Sequence, residues 1–158
     1  MRVTADTVAA AHDRTVDRAP TVVALINDVR ADLGDAFDTD VASVTAEAYR
    51  DEVDVVFADG DRAVNVAALL ALLEELDVEG DYPGFVVDEL LGRELAGTIA
   101  GQQPLRLLGE ATFHYADIHT HIDGPAGADD ALAALAAGFQ TRLPGWEWKQ
   151  NESPFAVD

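Results

Sequence analysis

An α+β fold with an antiparallel sheet is the class this sequence predicts, and three observations predict it. Segments with period-two alternation stand beside segments with helical spacing. They follow the order helix pair, hairpin, helix pair, hairpin, helix, with turn residues between them. The 158 residues, 49% of them apolar, suffice for one core. Residues 1–145 read as a single domain and 146–158 as a C-terminal tail.

Thr4 is placed to cap a helix running from about Ala5 to Arg18. Pro20 stands where a second helix would start and Gly34 where it would stop. Val22, Leu25, Ile26, Val29 and Leu33 follow the i, i+3, i+4, i+7 spacing of a buried face. Asp35 to Asp40 reads as an acidic loop. Val41 to Tyr49 and Val53 to Phe57 then read as two strands. Ala42, Val44, Ala46 and Ala48 lie on one face of the first, with Ser43, Thr45 and Glu47 on the other. Asp59-Gly60-Asp61 supplies a turn. Val64 to Leu76 and Phe85 to Ala100 read as helices, the second stopped by Gly101. Leu105 to Ile122 reads as a second hairpin bending near Tyr115-Ala116-Asp117. A last helix spans Ala131 to Arg142 and ends at Pro144-Gly145. Two hairpins make a sheet of about four strands, with helices mainly on one face.

Charge excludes whole classes of function. Thirty acidic residues against ten basic ones leave a net charge of -20, which repels a phosphate backbone and argues against nucleic acid as a partner. The longest apolar runs, Val66 to Leu73 and Ala131 to Phe139, fall well short of the ~20 residues that span a bilayer, so no membrane partner is expected. No basic-then-apolar leader pattern opens the chain, and a cytoplasmic location is expected. The absence of cysteine excludes disulfides, thiolate nucleophiles and Cys-based metal sites. Self-repulsion at -20 weakens a small fold until salt screens it; at molar salt the Debye length is about 3 Å. Nine of the ten basic residues are Arg, and Lys149 is the single Lys. This composition resembles that of cytoplasmic proteins of extremely halophilic archaea, which implies solvent cations as constant companions of the surface.

Two segments carry a closer resemblance. Asp51-Glu52-Val53-Asp54-Val55-Val56-Phe57-Ala58-Asp59 and Leu107-Leu108-Gly109-Glu110 resemble small uncharacterised haloarchaeal proteins, a likeness that transfers no chemistry. The order of strand pair, helices and strand pair is similar in outline to regulatory modules of the PAS, GAF and roadblock kinds.

Asp117-Ile118-His119-Thr120-His121 is the sharpest chemical candidate. It resembles the Asp-x-His-x-His motif of metal-dependent hydrolases of the amidohydrolase and histidinol-phosphatase kinds. On a strand, His119 and His121 would share a face, about 7 Å apart along the chain, and with Asp117 or Asp123 could hold a transition metal. The barrel of those families needs roughly 200 residues or more, which this chain lacks. The competing expectation buries Ile118, Thr120 and Ile122 and leaves His119, His121 and Asp123 in solvent. His114 precedes this segment, and His12 reads as an exposed residue of the first helix. Asp35, Asp38 and Asp40 lack the spacing of a calcium loop. Ser43 and Ser153 are the only serines, neither sits in a nucleophile elbow, and no phosphate-cradling glycine loop is present. Trp146-Glu147-Trp148 either packs over the last helix or offers an interface anchor. The residues therefore point to a non-enzymatic regulatory or protein-interaction module without a cofactor, partnered by itself or another protein. The alternatives are a sensor with a small-ligand pocket between sheet and helices, or a metal site at Asp117, His119 and His121.

Overall fold

The computed structural model describes residues 1–76, 87–120 and 126–146. Among them the chain is all helix: α1 (Ala5–Asp17), α2 (Ala19–Phe37), α3 (Ala46–Ala58), α4 (Gly60–Glu75), a π-helical segment (Val87–Gly92) leading into α5 (Arg93–Ala100), α6 (Leu105–Asp117) and α7 (Ala126–Arg142). The described residues hold no strand, so the expected α+β class and its antiparallel sheet are corrected to an all-α bundle. The likeness to PAS, GAF and roadblock modules rested on strand pairs and loses that basis.

Caps set most helix starts. Thr4 and Thr7 form a capping box, with Thr7 N donating to Thr4 Oγ1 at 3.2 Å and Thr4 N donating to Thr7 Oγ1 at 2.8 Å. Pro20 occupies the first turn of α2, where a missing N–H costs nothing. The α2 helix runs through the expected acidic loop as far as Phe37 and ends in a left-handed Asp38.

Both expected hairpins are helices, and the burial pattern gives the reason. In α3 the buried residues are Tyr49, Val53 and Val56, spaced i, i+4, i+7, and the Thr45 side chain accepts from Ala48 N to start the helix. The alternation before it, Ala42 to Ala48, ends in alanines that favour helix. In α6 the buried set is Gly109, Thr112, Phe113 and Ala116, again a helical stripe. What remains outside helix is 39–45, and there the backbone of Val44 is paired by a side chain instead of a strand. Asn27 of α2 donates Nδ2 to Val44 O at 3.2 Å and accepts from Val44 N at 2.8 Å.

Helix α7 is the axis of the bundle. Residues 131–141 are buried around the full circumference, enclosed by α2, α4, α5 and α6. Its small residues, Ala133, Ala134, Ala136, Ala137 and Gly138, let the neighbours approach closely. A Cβ at Gly138 would stand 2.7 Å from Ile99 Cβ and 2.8 Å from Ala96 O on α5. Gly109 plays the same part between α6 and α5, where a Cβ would stand 2.9 Å from Ala100 Cβ. Close-packed helices of this kind lose stability when volume is added as well as when it is removed.

Candidate functional site

Three places hold unusual chemistry. The first is the segment that sequence singled out. Asp117 is the last residue of α6 and His119 lies in the turn beyond it, so neither stands on the strand expected for the cluster. His121, Ile122 and Asp123 lie outside the described residues. His119 Nε2 bonds Asp32 of α2, tying the end of α6 across the bundle. Ile118, expected beneath the sheet, is 74% exposed. On a helix the residue after Asp117 is rotated by about 100°, not the half-turn a strand gives, so burial of Thr120 leaves Ile118 outside. His114 is exposed on the same helix, with its ring 5.5 Å from that of Phe113. Among the described residues no three His, Asp or Glu side chains converge as a metal would need.

The second place is the end of α7, and sequence reading missed its central residue. Arg30 is 1% exposed, yet among the described residues no carboxylate meets it. Nη1 donates to Ala42 O and Pro144 O, both at 2.6 Å. Nη2 donates to Gln140 O at 2.8 Å and Leu143 O at 3.0 Å. The guanidinium thus gathers the carbonyls at the C-terminus of α7, where the helix dipole is negative. Trp146, 6% exposed, covers it with its ring centroid 5.6 Å from Cζ, and Nε1 donates to Gln140 O. Trp146, one of the two tryptophans weighed as an interface anchor or as packing, is thus buried against Arg30; Trp148 lies outside the described residues. Burial pushes the Arg30 pKa down to about 10, still charged at neutral pH. Beside it the Gln140 side chain, fully buried, donates Nε2 to Thr112 Oγ1 at 3.2 Å and joins α7 to α6. A signal existed in the sequence: Arg30 falls one residue after Val29 on the apolar face of α2, where a cation needs an explanation.

The third place is a groove of about 800 Å³ between α1, α3 and α4. Val3, Val8 and Ala9 form one wall, Phe57 and Ala58 the second, Ala63 and Val64 the third. A single polar pair closes one side, His12 Nε2 to Asp54 Oδ1 at 2.7 Å, and the imidazole leans on the Phe57 ring with centroids 5.1 Å apart. His12 is thus half-buried in a groove rather than simply exposed. Among the described residues the lining holds no serine, cysteine or lysine, and the Thr4 hydroxyl is spent on the α1 cap. Such a surface can bind apolar matter and offers no nucleophile. A polar recess near Gly101 carries Arg62 and Arg106 together with Asp59, Asp61 and Glu94. There Arg106 is held by both Glu94 oxygens at 2.7 Å, and that bond raises its pKa. The recess thus sets two arginines against three carboxylates and offers an anion no net positive charge.

None of the described helices is long and apolar enough to cross a membrane. No curated protein and no solved structure matches the chain. One family model does, a domain of unknown function designated DUF7984, over residues 1–158. The chain belongs to that family along its whole length.

Proposed function

We propose that this chain is a non-enzymatic interaction module of a salt-rich cytoplasm, whose working surface is the groove between α1, α3 and α4. Its partner is an amphipathic helix with basic flanks. The observation that carries the reading is the contrast between lining and rim. The walls are aliphatic and aromatic and stay open to solvent, with Val3 and Val64 both exposed. Three helices around an open apolar trough suit the helix-in-groove mode, in which anchors at i, i+3, i+4 and i+7 fill the apolar floor. Exposed Asp6, Asp13, Asp59 and Asp61 adjoin the lining residues, and Asp54 stands in it, so basic flanks are favoured over acidic ones. The charge of -20 with a single lysine supports the salt-rich setting.

The test uses a designed helical peptide with one Leu face and one Lys face, and a Leu/Glu counterpart. Both are titrated against the full chain by fluorescence anisotropy, in the lowest KCl at which circular dichroism shows the fold intact. Saturable binding of the Leu/Lys peptide alone is expected, lost in a Val3→Asp Val64→Asp double variant whose circular dichroism is unchanged. Equal binding of both peptides, or binding that survives the double variant, overturns the reading.

A further inference from the structure

We propose that His12 is a proton-operated gate on the α1/α3/α4 groove: a second proton on its ring cancels the charge of Asp54 and releases a basic partner in mild acid. The inference rests on the reading of the groove given above and concerns its regulation. Spacing builds the gate. Asp54 and Phe57 stand three residues apart on α3, so they share a face, and both meet the same imidazole from α1. His12 is half-buried there, with Nε2 2.7 Å from Asp54 Oδ1 and Nδ1 3.6 Å from Asp13 Oδ1. A neutral imidazole has one N–H to give. An ionised carboxylate only accepts, so at 2.7 Å that proton stands on Nε2, and Nδ1 turns a lone pair toward Asp13. A second proton replaces the lone pair with a donor. The ring is then a cation set between two anions, one on each helix.

The surrounding charges decide what that proton changes. With His12 neutral, Asp54 is the one charged side chain in the lining; with His12 protonated, the lining has no net charge. On α3, Arg50 and Asp51 stand one turn before Asp54, both exposed and opposite in sign. On α4, the lining residues Gly60, Ala63 and Val64 carry no charge; beside them Arg62 lies 3.7 Å from Asp59, and Asp61 is exposed. On α1 the neighbours are the exposed Asp6 and Asp13. Ordinary carboxylates and arginines keep their charge between about pH 5.5 and 8, whereas an imidazole changes its own. Asp54 is exposed, so a partner's ammonium reaches its carboxylate while His12 is neutral. Once the ring is charged, that carboxylate is matched within the chain and the ammonium meets a like charge beside it. The contact is an exposed ion pair, so the gate is worth about a two- to fivefold change in affinity.

The Leu/Lys peptide is titrated against the full chain by fluorescence anisotropy at about pH 8 and about pH 5.5, at one KCl concentration that keeps the fold intact at both. Wild-type affinity is expected to fall about two- to fivefold at the lower pH. The His12→Gln chain, checked by circular dichroism, should bind with one affinity at both. His114, His119 and His121 are present in both chains, so the comparison removes their contribution. A second measurement needs no variant. Imidazole nitrogen shifts of wild-type protein should place the His12 proton on Nε2 at about pH 8. Saturating peptide should move the His12 titration midpoint to lower pH, because coupling between proton and peptide is reciprocal. Failure of the peptide to bind at either pH overturns the groove reading and the gate together. Binding that ignores pH, a pH step that persists in His12→Gln, or a proton on Nδ1 at about pH 8 overturns the gate and leaves the groove reading standing.

Discussion

The end of α7 and the α1/α3/α4 groove are both places where helices converge, and they are built in opposite ways. At α7, polar and apolar groups from residues more than a hundred positions apart close on each other. Arg30 takes four carbonyls, three of them from α7 and the turn beyond it at separations of 110, 113 and 114 residues. In the groove, Ala9, Ala58 and Ala63 leave a trough of about 800 Å³ unfilled, and one His–Asp pair bridges it. The α1 helix beside it buries just Ala11 and Thr15, whereas α7 is buried on every side. Stability is thus concentrated at the axis, and the surface left for partners lies where the packing is thinnest.

Breaking the axis should give the largest effect. Arg30→Met removes a buried cation and orphans the carbonyls of Ala42, Gln140, Leu143 and Pro144, for an expected loss of about 3–5 kcal/mol in urea unfolding. The smaller donor set of Arg30→Lys should recover part of it. If Arg30→Met unfolds at the wild-type midpoint, the axis is not held as described.

Salt sharpens the comparison next. Dialysis from molar KCl into dilute buffer should lower stability throughout, because the charge of -20 is no longer screened. Amide exchange should then accelerate first in α1 and last in α7. Uniform acceleration across both helices would show that they open as one unit.

Tyr49 links the two regions, packing edge-on against Phe139 of α7 at 5.2 Å while its hydroxyl donates to Thr15 O of α1 at 2.9 Å. Burial raises its pKa well above the ordinary phenol value. A folded-state pKa above the unfolded one means that the native state holds the proton longer. The stability this contributes is complete below about pH 10 and falls as pH rises beyond it. The depressed Arg30 pKa works the other way: stability rises between about pH 10 and the ordinary arginine value. Tyr49→Phe separates the two, since it costs about 1 kcal/mol at neutral pH yet should flatten the alkaline decline. An ultraviolet titration in which Tyr49 ionises without loss of circular dichroism would contradict its burial.

The smallest effect belongs to the groove. Val64 is exposed, and Val64→Asp should change stability by less than about 0.5 kcal/mol while abolishing binding of the Leu/Lys peptide. A large loss of stability would mean that the groove is part of the core.

How far the fold is legible from sequence depends on the segment. The α1 and α2 helices are readable because caps and spacing agree there: Thr4, Pro20, and Val22 through Leu33 on one face; α4 and α7 are readable as helices but begin at Gly60 and Ala126, ahead of the expected Val64 and Ala131, and the expected turn at Asp59-Gly60-Asp61 is the capped start of α4. The α3 and α6 segments mislead because periods of 2 and 3.6 coincide over a few residues. Val44, Ala46 and Ala48 alternate, yet Tyr49, Val53 and Val56 continue a helical stripe. Thr112, Phe113, Tyr115 and Ile118 have strand propensity, but Gly109 and Ala116 let α6 lie close against its neighbours, and packing outweighs propensity. For the candidate sites, Asp117 and His119 attract attention by motif, while the groove and Arg30 carry no motif at all.

By itself the sequence determined what is local or additive. It set the charge of -20, the lack of thiol chemistry, and the helices whose caps and apolar faces are written within a few residues of each other. The tertiary structure decided whatever depends on which surface a segment meets. It made α3 and α6 helices, turned Ile118 outward, set Arg30 beneath Trp146, and left the α1/α3/α4 groove open. The physical reason is range. A cap acts over three residues, whereas the carbonyls that justify a buried arginine arrive from the far end of the chain once the bundle has closed.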